Sequence, residues 1–210
     1  MLVRCSAEFV LPELPPAARW LAPMAGAKDT EVIEFSWAGE SARHVGTVVH
    51  RWLQRLADDA LAGWTSARIE SLRPGIAREL ERRGVRPGEC SDAASQVLRA
   101  LTQTLADERG RWLLGPRKDA RSEYRVRRLV GSVMHSYVMD RVFRDDKGVR
   151  WVADYKTSSH EGGDKEAFLD RERARYEPQL TRYAAAVGGT DKTMVGLYFP
   201  LLAGWREWAP

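Results

Sequence analysis

Residues 133–156 contain two apolar runs joined by a polar segment, and this pattern restricts the fold more than any other. The second run, Val149 to Lys156 (VRWVADYK), alternates with a period of two residues, which is typical of a β-strand. The first run, Val133 to Phe143, contains Asp140 near its end. Between the runs lies the polar segment Arg144-Asp145-Asp146-Lys147-Gly148, so the sequence predicts a β-hairpin.

This hairpin would bring two carboxylates and a lysine together. The period of two places Asp154 and Lys156 on one face, about 7 Å apart, and pairing of the strands brings Asp140 beside Asp154. Carboxylate oxygens are natural ligands of Mg²⁺ and Mn²⁺, and lysine can stabilise phosphoryl charge or orient water. The set suits metal-dependent phosphodiester hydrolysis. The alternative is a surface hairpin with ordinary charges, because Asp-x-Lys is a common triplet.

Helices and strands are predicted on both sides of the hairpin. Apolar stripes and turn residues predict helices over 45–62, 74–83, 91–106 and 166–187, and further strands over 31–37, 122–130 and 193–199. The proline-rich segment Leu11 to Pro16 predicts an irregular arm or linker over residues 1–38. A single folded domain would then occupy residues 39–210.

Composition and charge narrow the class of protein. No apolar run is long enough for a membrane helix and no signal peptide is recognisable, so we expect a cytoplasmic protein without a membrane segment. Cys5 and Cys90 cannot form a disulfide framework and lack metal-ligand spacing, which fits reduced thiols. The net charge of +4 favours an anionic partner only mildly.

Arginines gather in four clusters, at 78–86, 109–121, 125–128 and 171–175. Either at least one cluster contacts nucleic acid, or the clusters are solvated faces paired with neighbouring acids. The chain has no G-x-x-x-x-G-K-[ST] motif, so no ATPase activity of its own is expected.

Two further motifs lie far from the hairpin in sequence. Gly46 precedes His50 by one helical turn, and a small residue there would let another backbone approach the imidazole. Gln179 and Tyr183 are four residues apart and share a helix face. Each motif alone has an ordinary interpretation, a core histidine bonded to a carbonyl in the first case and core packing plus a surface amide in the second.

Taken in order, these pieces resemble the RecB-type nuclease domain of the PD-(D/E)XK superfamily, over about residues 40–200. The resemblance implies an α/β restriction-endonuclease-like core, with a mixed central sheet flanked by helices and an N-terminal helical segment. The pieces are Gly46-x-x-x-His50, Asp140, Asp154-Tyr155-Lys156-Thr157 and Gln179-x-x-x-Tyr183.

The resemblance also implies roles for individual residues. His50, Asp140, Asp154 and the backbone carbonyl of Tyr155 would bind Mg²⁺ or Mn²⁺. The catalytic set would comprise Asp140, Asp154, Lys156, Gln179 and Tyr183, with Lys156 as the catalytic lysine. Gln179 and Tyr183 would line the site and help to place the DNA backbone. Glu123 resembles a weaker feature of the family.

The function implied is exonucleolytic or endonucleolytic cleavage of DNA, preferentially single-stranded, in the bacterial cytoplasm during double-strand-break repair or recombination. Helicase motor domains would lie in the same longer chain, as in RecBCD and AddAB systems, with a partner subunit as a further component. Three alternatives stay open at this point. They are a non-cleaving DNA- or partner-binding module of the same fold, a small stand-alone nuclease, and a metal hydrolase that does not act on nucleic acid.

Overall fold

Five strands form a mixed sheet in the described part of the chain. They are β1 (Lys118–Val130), β2 (Val133–Arg144), β3 (Arg150–Tyr155), β4 (Thr193–Phe199) and β5 (Gly204–Trp208), and their order in the sheet is β1-β2-β3-β4-β5. The computed structural model describes residues 40–130, 132–158, 163–189 and 191–210. Strands β3 and β4 are parallel, and the other neighbours are antiparallel.

Helices cover both faces of this sheet. One face carries the helices that precede β1, and the other carries α6, which connects the parallel strands β3 and β4. The helices are α1 (Glu40–Asp58), α2 (Ser66–Ser71), α3 (Arg73–Arg82), α4 (Cys90–Ala106), α5 (Glu108–Leu114) and α6 (Lys165–Val187). The predicted fold class, a mixed sheet flanked by helices with a helical N-terminal segment, is confirmed.

Alternation along β3 divides the core into two clusters. Trp151, Ala153 and Tyr155 are buried in the cluster formed with α1, α4 and α5, whereas Val152 is buried in the cluster formed with α6. Asp154 is two residues from Val152 and therefore points toward α6. Burial on both faces explains why β3 carries so few polar residues.

The sheet forks where β2 leaves β3. Pairs between these two strands run from Arg144↔Arg150 to Arg141↔Ala153, whereas β2 pairs with β1 along almost its whole length. Beyond Asp140, β1 and β2 therefore pair only with each other among the described residues, as a two-stranded ribbon (residues 124–130 and 133–139). Asp140 lies at the fork.

Some predicted boundaries are wrong, and short elements were not predicted. The first helix was expected to end at residue 62, but α1 ends at Asp58 because Ala60 and Leu61 have left-handed φ angles of 48° and 62°. Helices α2 and α5 and strand β5 were not predicted, since each is too short to show a periodic pattern. The predicted strand 31–37 and the boundary after residue 38 lie outside the described residues.

The helices that the structure describes were also compared with the length and apolarity needed to cross a bilayer. Not one of those described helices meets the requirement.

Candidate active site

Asp140 connects three elements at the fork. Because Arg141 pairs with Ala153, the next position along the antiparallel ladder sets Asp140 opposite Asp154. Asp140 Oδ2 accepts a hydrogen bond of 2.7 Å from the Tyr155 backbone N–H, and Oδ1 lies 3.3 Å from His50 Nδ1. The hairpin thus brings the two predicted carboxylates together, and α1 adds the histidine.

Gly46 allows α1 to lie this close to the end of β3. A Cβ atom at position 46 would lie 2.8 Å from the Thr157 hydroxyl, closer than real Cβ contacts permit. A larger residue would require the Thr157 side chain to turn away or α1 to move, and movement of α1 would carry His50 away from Asp140. The neighbour of Gly46 is the Thr157 side chain, from the same Asp-Tyr-Lys-Thr motif, and not the backbone segment that the sequence led us to expect.

Glu123 is the third member of this group. Ser122 pairs with Arg141 and Tyr124 with Met139, so Glu123 lies opposite Asp140 on β1. One ligand atom each from His50, Glu123 and Asp140 lies within 4.8 Å of the others. Glu123 was expected only as a weaker feature of the family, and in the structure it lies next to two predicted ligands.

The backbone of Glu123 is unusual for a strand. Its φ angle is 48°, in the left-handed region that residues with a Cβ atom avoid at a cost of about 1–2 kcal/mol. On one side of it, Arg141 donates to Ser122 Oγ and to the Leu113 carbonyl, next to α5. On the other side, Tyr124 packs with the α6 cluster. Regular alternation along β1 is therefore interrupted at Glu123, because Ser122 lies on the α5 side of the hairpin and Tyr124, two residues later, lies on the α6 side. The left-handed backbone of Glu123 sets its carboxylate beside Asp140.

The remaining predicted residues lie on the α6 side. Lys156 Nζ is 3.0 Å from Asp154 Oδ2 and 3.9 Å from the centre of the Tyr176 ring. Asp154 is 6% exposed, and its Oδ2 accepts no well-aligned hydrogen bond among the described residues, so the contact with Lys156 is an ion pair. Gln179 Nε2 donates to the Tyr183 hydroxyl over 3.0 Å. The predicted shared faces of both residue pairs are confirmed.

The electrostatics of the site reflect crowded carboxylates. Burial and the Asp140 charge raise the pKa of Asp154 to about 6, and the same two causes raise the pKa of Glu123. Burial opposes ionisation of Asp140, yet the His50 imidazolium holds its pKa below the usual value. Burial alone would lower the pKa of His50, but Asp140 outweighs it and the pKa rises to about 9. The protonated imidazole supplies positive charge that these carboxylates need.

The same residues have the chemistry of a divalent-metal site. Imidazole and carboxylate together suit Mn²⁺, and carboxylates suit Mg²⁺. Replacing the His50 proton by a divalent cation would relieve the repulsion between Asp140, Glu123 and Asp154, so the group fits the ion. Asp154 is not part of the most compact group, and its role as a ligand stays a prediction, as does that of the Tyr155 carbonyl.

A scan against protein-family models matches residues 27–201 to the PD-(D/E)XK nuclease superfamily. The match spans the sheet through β4 and every residue of the site described above. The chain belongs to the PD-(D/E)XK nuclease superfamily. A comparison with curated proteins gives no match. Superfamily membership confirms the general identity that the acid, acid and lysine pattern predicted, and it makes a metal-dependent nuclease the chemistry to expect at the fork of this PD-(D/E)XK sheet.

Proposed function

We propose that this chain is a RecB-type deoxyribonuclease that hydrolyses single-stranded DNA with bound Mg²⁺ or Mn²⁺. It would serve as the nuclease part of a bacterial cytoplasmic helicase–nuclease in double-strand-break repair or recombination. The helicase context rests on the resemblance in the sequence and on the lack of a nucleotide-binding P-loop in this chain. Motor domains elsewhere in a longer chain, or in a partner subunit, would deliver the strand.

One observation carries the proposal, namely the contact between His50 and Asp140 at the fork. An acid, acid and lysine set alone would support any PD-(D/E)XK nuclease. A histidine delivered by α1, 3.3 Å from the first acid, is the feature that supports the RecB type. The Gln179–Tyr183 pair on α6 adds to this support, because it completes the same set of residues from a separate element.

His50, Asp140, Asp154 and the Tyr155 carbonyl would hold the ion, with Glu123 as an additional carboxylate. When bound, a divalent ion polarises a phosphoryl oxygen and lowers the pKa of a water ligand. The protein prepares this arrangement through Asp140, which the Tyr155 N–H fixes from the backbone side. Orientation of a ligand by a second hydrogen bond typically governs both affinity and activity.

Lys156 would neutralise charge on the phosphate during cleavage. Its ammonium is held between the Asp154 carboxylate and the Tyr176 ring, and only 12% of its side chain is exposed. A cation fixed in advance stabilises a developing negative charge without the cost of reorganising solvent. Asp154 would therefore orient Lys156 in addition to binding the ion.

Gln179 and Tyr183 would position the DNA backbone. The Tyr183 hydroxyl accepts a hydrogen bond from Gln179, so the hydroxyl proton points away from Gln179 and can be donated to another group. Burial and the nearby Asp154 raise the pKa of Tyr183 to about 12, which keeps the phenol protonated at neutral pH. A protonated hydroxyl at this place can donate to a phosphate oxygen.

The test is incubation of the purified chain with end-labelled single-stranded and duplex DNA in Mg²⁺, Mn²⁺ or EDTA. We expect metal-dependent cleavage of single strands, slow because no motor feeds the site, and little cleavage of duplex. Asp154→Asn provides the inactive control. Binding of DNA without cleavage in either metal would contradict the proposal and favour a non-cleaving module of the same fold.

A further inference from the structure

The two faces of the β1–β2 ribbon differ sharply beyond the fork. The inner face packs on the α6 cluster through Tyr124, Val126, Tyr137 and Met139. Arg128, on the same face, donates a hydrogen bond to the Ala185 carbonyl of α6. Helix α6 therefore holds the ribbon in place through contacts with its inner face. Side chains of the outer face are not needed for these contacts.

The opposite, outer face of the ribbon consists of three cross-strand pairs. Register pairs Arg125 with Val138, Arg127 with Ser136 and Leu129 with Met134, and paired residues share a face. All six side chains are exposed, with Leu129 and Met134 both 61% exposed. Large apolar side chains left open beside arginines suggest that another molecule covers this face.

The outer face leads directly to the candidate active site. Along β1, residues 125, 127 and 129 alternate onto the outer face, and along β2 residues 138, 136 and 134 do the same. Glu123 and Asp140, where regular alternation along β1 is interrupted, lie two residues from Arg125 and Val138, the first of these pairs. The distance from Asp140 to Met134 along the strand is about 20 Å.

The two arginines of the outer face, Arg125 and Arg127, are available to bind an anion. Within the part of the chain that the structure describes, neither Arg125 nor Arg127 forms a hydrogen bond or an ion pair. Several other exposed arginines are paired, such as Arg51 with Glu79 and Arg55 with Asp59. The two guanidinium groups therefore lie beside the site, two residues apart, ready to pair with anions.

We propose that this outer face binds the incoming single strand of nucleic acid and guides it to the fork. Arg125 and Arg127 bind consecutive phosphates, because their spacing of about 7 Å is close to that of neighbouring phosphates in an extended strand. Leu129, Met134 and Val138 contact the bases. The inference rests on the proposed function, and it adds to that function the path by which substrate reaches the metal.

The apolar residues distinguish a single strand from a duplex. In a duplex the base faces are stacked and covered, so exposed leucine and methionine would meet only sugar and phosphate. In a single strand the bases are open and bind apolar or aromatic side chains regardless of sequence. On the outer face the two arginines lie next to each other on β1, opposite Val138 and Ser136, and the apolar pair Leu129 and Met134 lies beyond them. The face therefore offers cations for phosphates and apolar side chains for bases.

The decisive experiment separates ionic from apolar contacts by the salt dependence of binding. Affinity for a fluorescent oligothymidylate is measured by anisotropy in Ca²⁺ across a salt series, so that cleavage does not interfere. Arg125→Ala/Arg127→Ala should weaken binding about tenfold or more. It should also reduce the slope of log K against log salt by about 1.4, since each phosphate contact on a single strand contributes about 0.7.

Leu129→Ser/Met134→Ser should weaken binding about fivefold or more while leaving the salt slope unchanged, because no ionic contact is removed. The matched control is Arg78→Ala/Arg82→Ala on α3, which removes two exposed arginines that lie far from the ribbon in sequence. It changes the net charge by the same amount as Arg125→Ala/Arg127→Ala. This control should leave affinity and slope close to those of the unmodified protein. Melting temperatures establish that each variant is folded.

Equal effects of the ribbon and control arginine pairs would overturn the proposal. Unchanged affinity in Leu129→Ser/Met134→Ser would overturn it too, and would leave a protein partner as the better occupant of the apolar residues. Tighter binding of duplex than of single strand through Arg125 and Arg127 would also contradict it. These binding results are independent of cleavage, so a chain that binds along the ribbon yet fails to cut would refute the proposed function alone.

Discussion

The candidate site has two halves that the fold builds in different ways. On the α1 side, His50, Glu123 and Asp140 are brought together by a glycine in a helix and a left-handed residue in a strand. On the α6 side, Asp154, Lys156 and their neighbours follow from regular strand and helix periodicity. The first half depends on exceptional local geometry, and the second does not.

This difference suggests a division of labour. The α1 half has three potential ligands and a raised His50 pKa, so its properties depend on whether a proton or a metal ion balances the carboxylates. The α6 half already has its balancing cation, because Lys156 lies against Asp154. We therefore expect substitutions in the α1 half to change metal affinity, and those of Lys156, Gln179 and Tyr183 to change catalysis.

The largest effect is expected at Asp154, the carboxylate of the α6 half that lies opposite Asp140 of the α1 half. Asp154→Asn should lower the cleavage rate at least about 10³-fold, because the substitution both weakens metal binding and removes the ion pair that holds Lys156 in place. The fold should persist, since burial disfavours the ionised carboxylate and asparagine has nearly the same volume. Cleavage of labelled single strands gives the rate, and circular dichroism confirms folding. Near-normal cleavage would show that the assignment is wrong. Asp92→Asn, at an exposed position of α4, is the control.

Lys156 provides the sharpest test of the α6 half. Lys156→Met should lower cleavage about 10²–10³-fold through loss of a fixed cation, while Mn²⁺ affinity stays unchanged or rises. The Mn²⁺ dissociation constant is measured by calorimetry beside the cleavage rate. Lys192→Met, at an exposed position, controls for the change in net charge. A large loss of Mn²⁺ affinity in Lys156→Met would mean that the two halves cannot be separated.

The two halves also differ in how far sequence predicts them. Period two along residues 149–156 and spacing of four between Gln179 and Tyr183 gave the α6 half directly, because regular elements have fixed geometry. The α1 half needed the family resemblance, since contact between His50 and Asp140 spans 90 residues of sequence and depends on tertiary packing. The mixed sheet was likewise predicted in outline, whereas the fork follows from strand lengths that no local pattern specifies.

Glu123 is the residue that sequence reasoning left without a role, although a signal was present. Strands predicted up to Val130 and from Val133 imply a two-residue connection, and such a hairpin fixes the register. Counting back from Val130↔Val133 pairs Glu123 with Asp140. The left-handed φ at Glu123 carries no such signal, because glutamate is not a residue that favours it.

His50 tests the α1 half through metal affinity and protons together. His50→Gln should weaken Mn²⁺ binding at least about tenfold and reduce the preference for Mn²⁺ over Mg²⁺, because imidazole is the softer ligand. In the unmodified protein, Mn²⁺ must displace a proton from a group with a pKa of about 9. Affinity should therefore rise with pH up to about 9 and level off above it.

Calorimetry in two buffers of different ionisation enthalpy counts the proton released at pH 7. The count should fall by about one in His50→Gln, and His44→Gln, six residues earlier on α1, should change nothing. If His50 were only a core residue, its substitution would lower the melting temperature and leave the Mn²⁺ affinity and the proton count intact.

Glu123 gives the smallest expected effect and the most specific one. Glu123→Gly should raise the free energy of unfolding of the metal-free protein by about 1 kcal/mol, because glycine adopts the left-handed φ freely and repulsion with Asp140 disappears. Glu123→Gln removes the charge but keeps the Cβ atom, so urea unfolding of both variants separates backbone strain from repulsion. Both should bind Mn²⁺ more weakly if the carboxylate is a ligand. Greater stability with unchanged Mn²⁺ affinity would show that the left-handed backbone of Glu123 serves only to interrupt the alternation of side chains along β1, and that the carboxylate does not bind the metal. The α1 half would then contain two ligands.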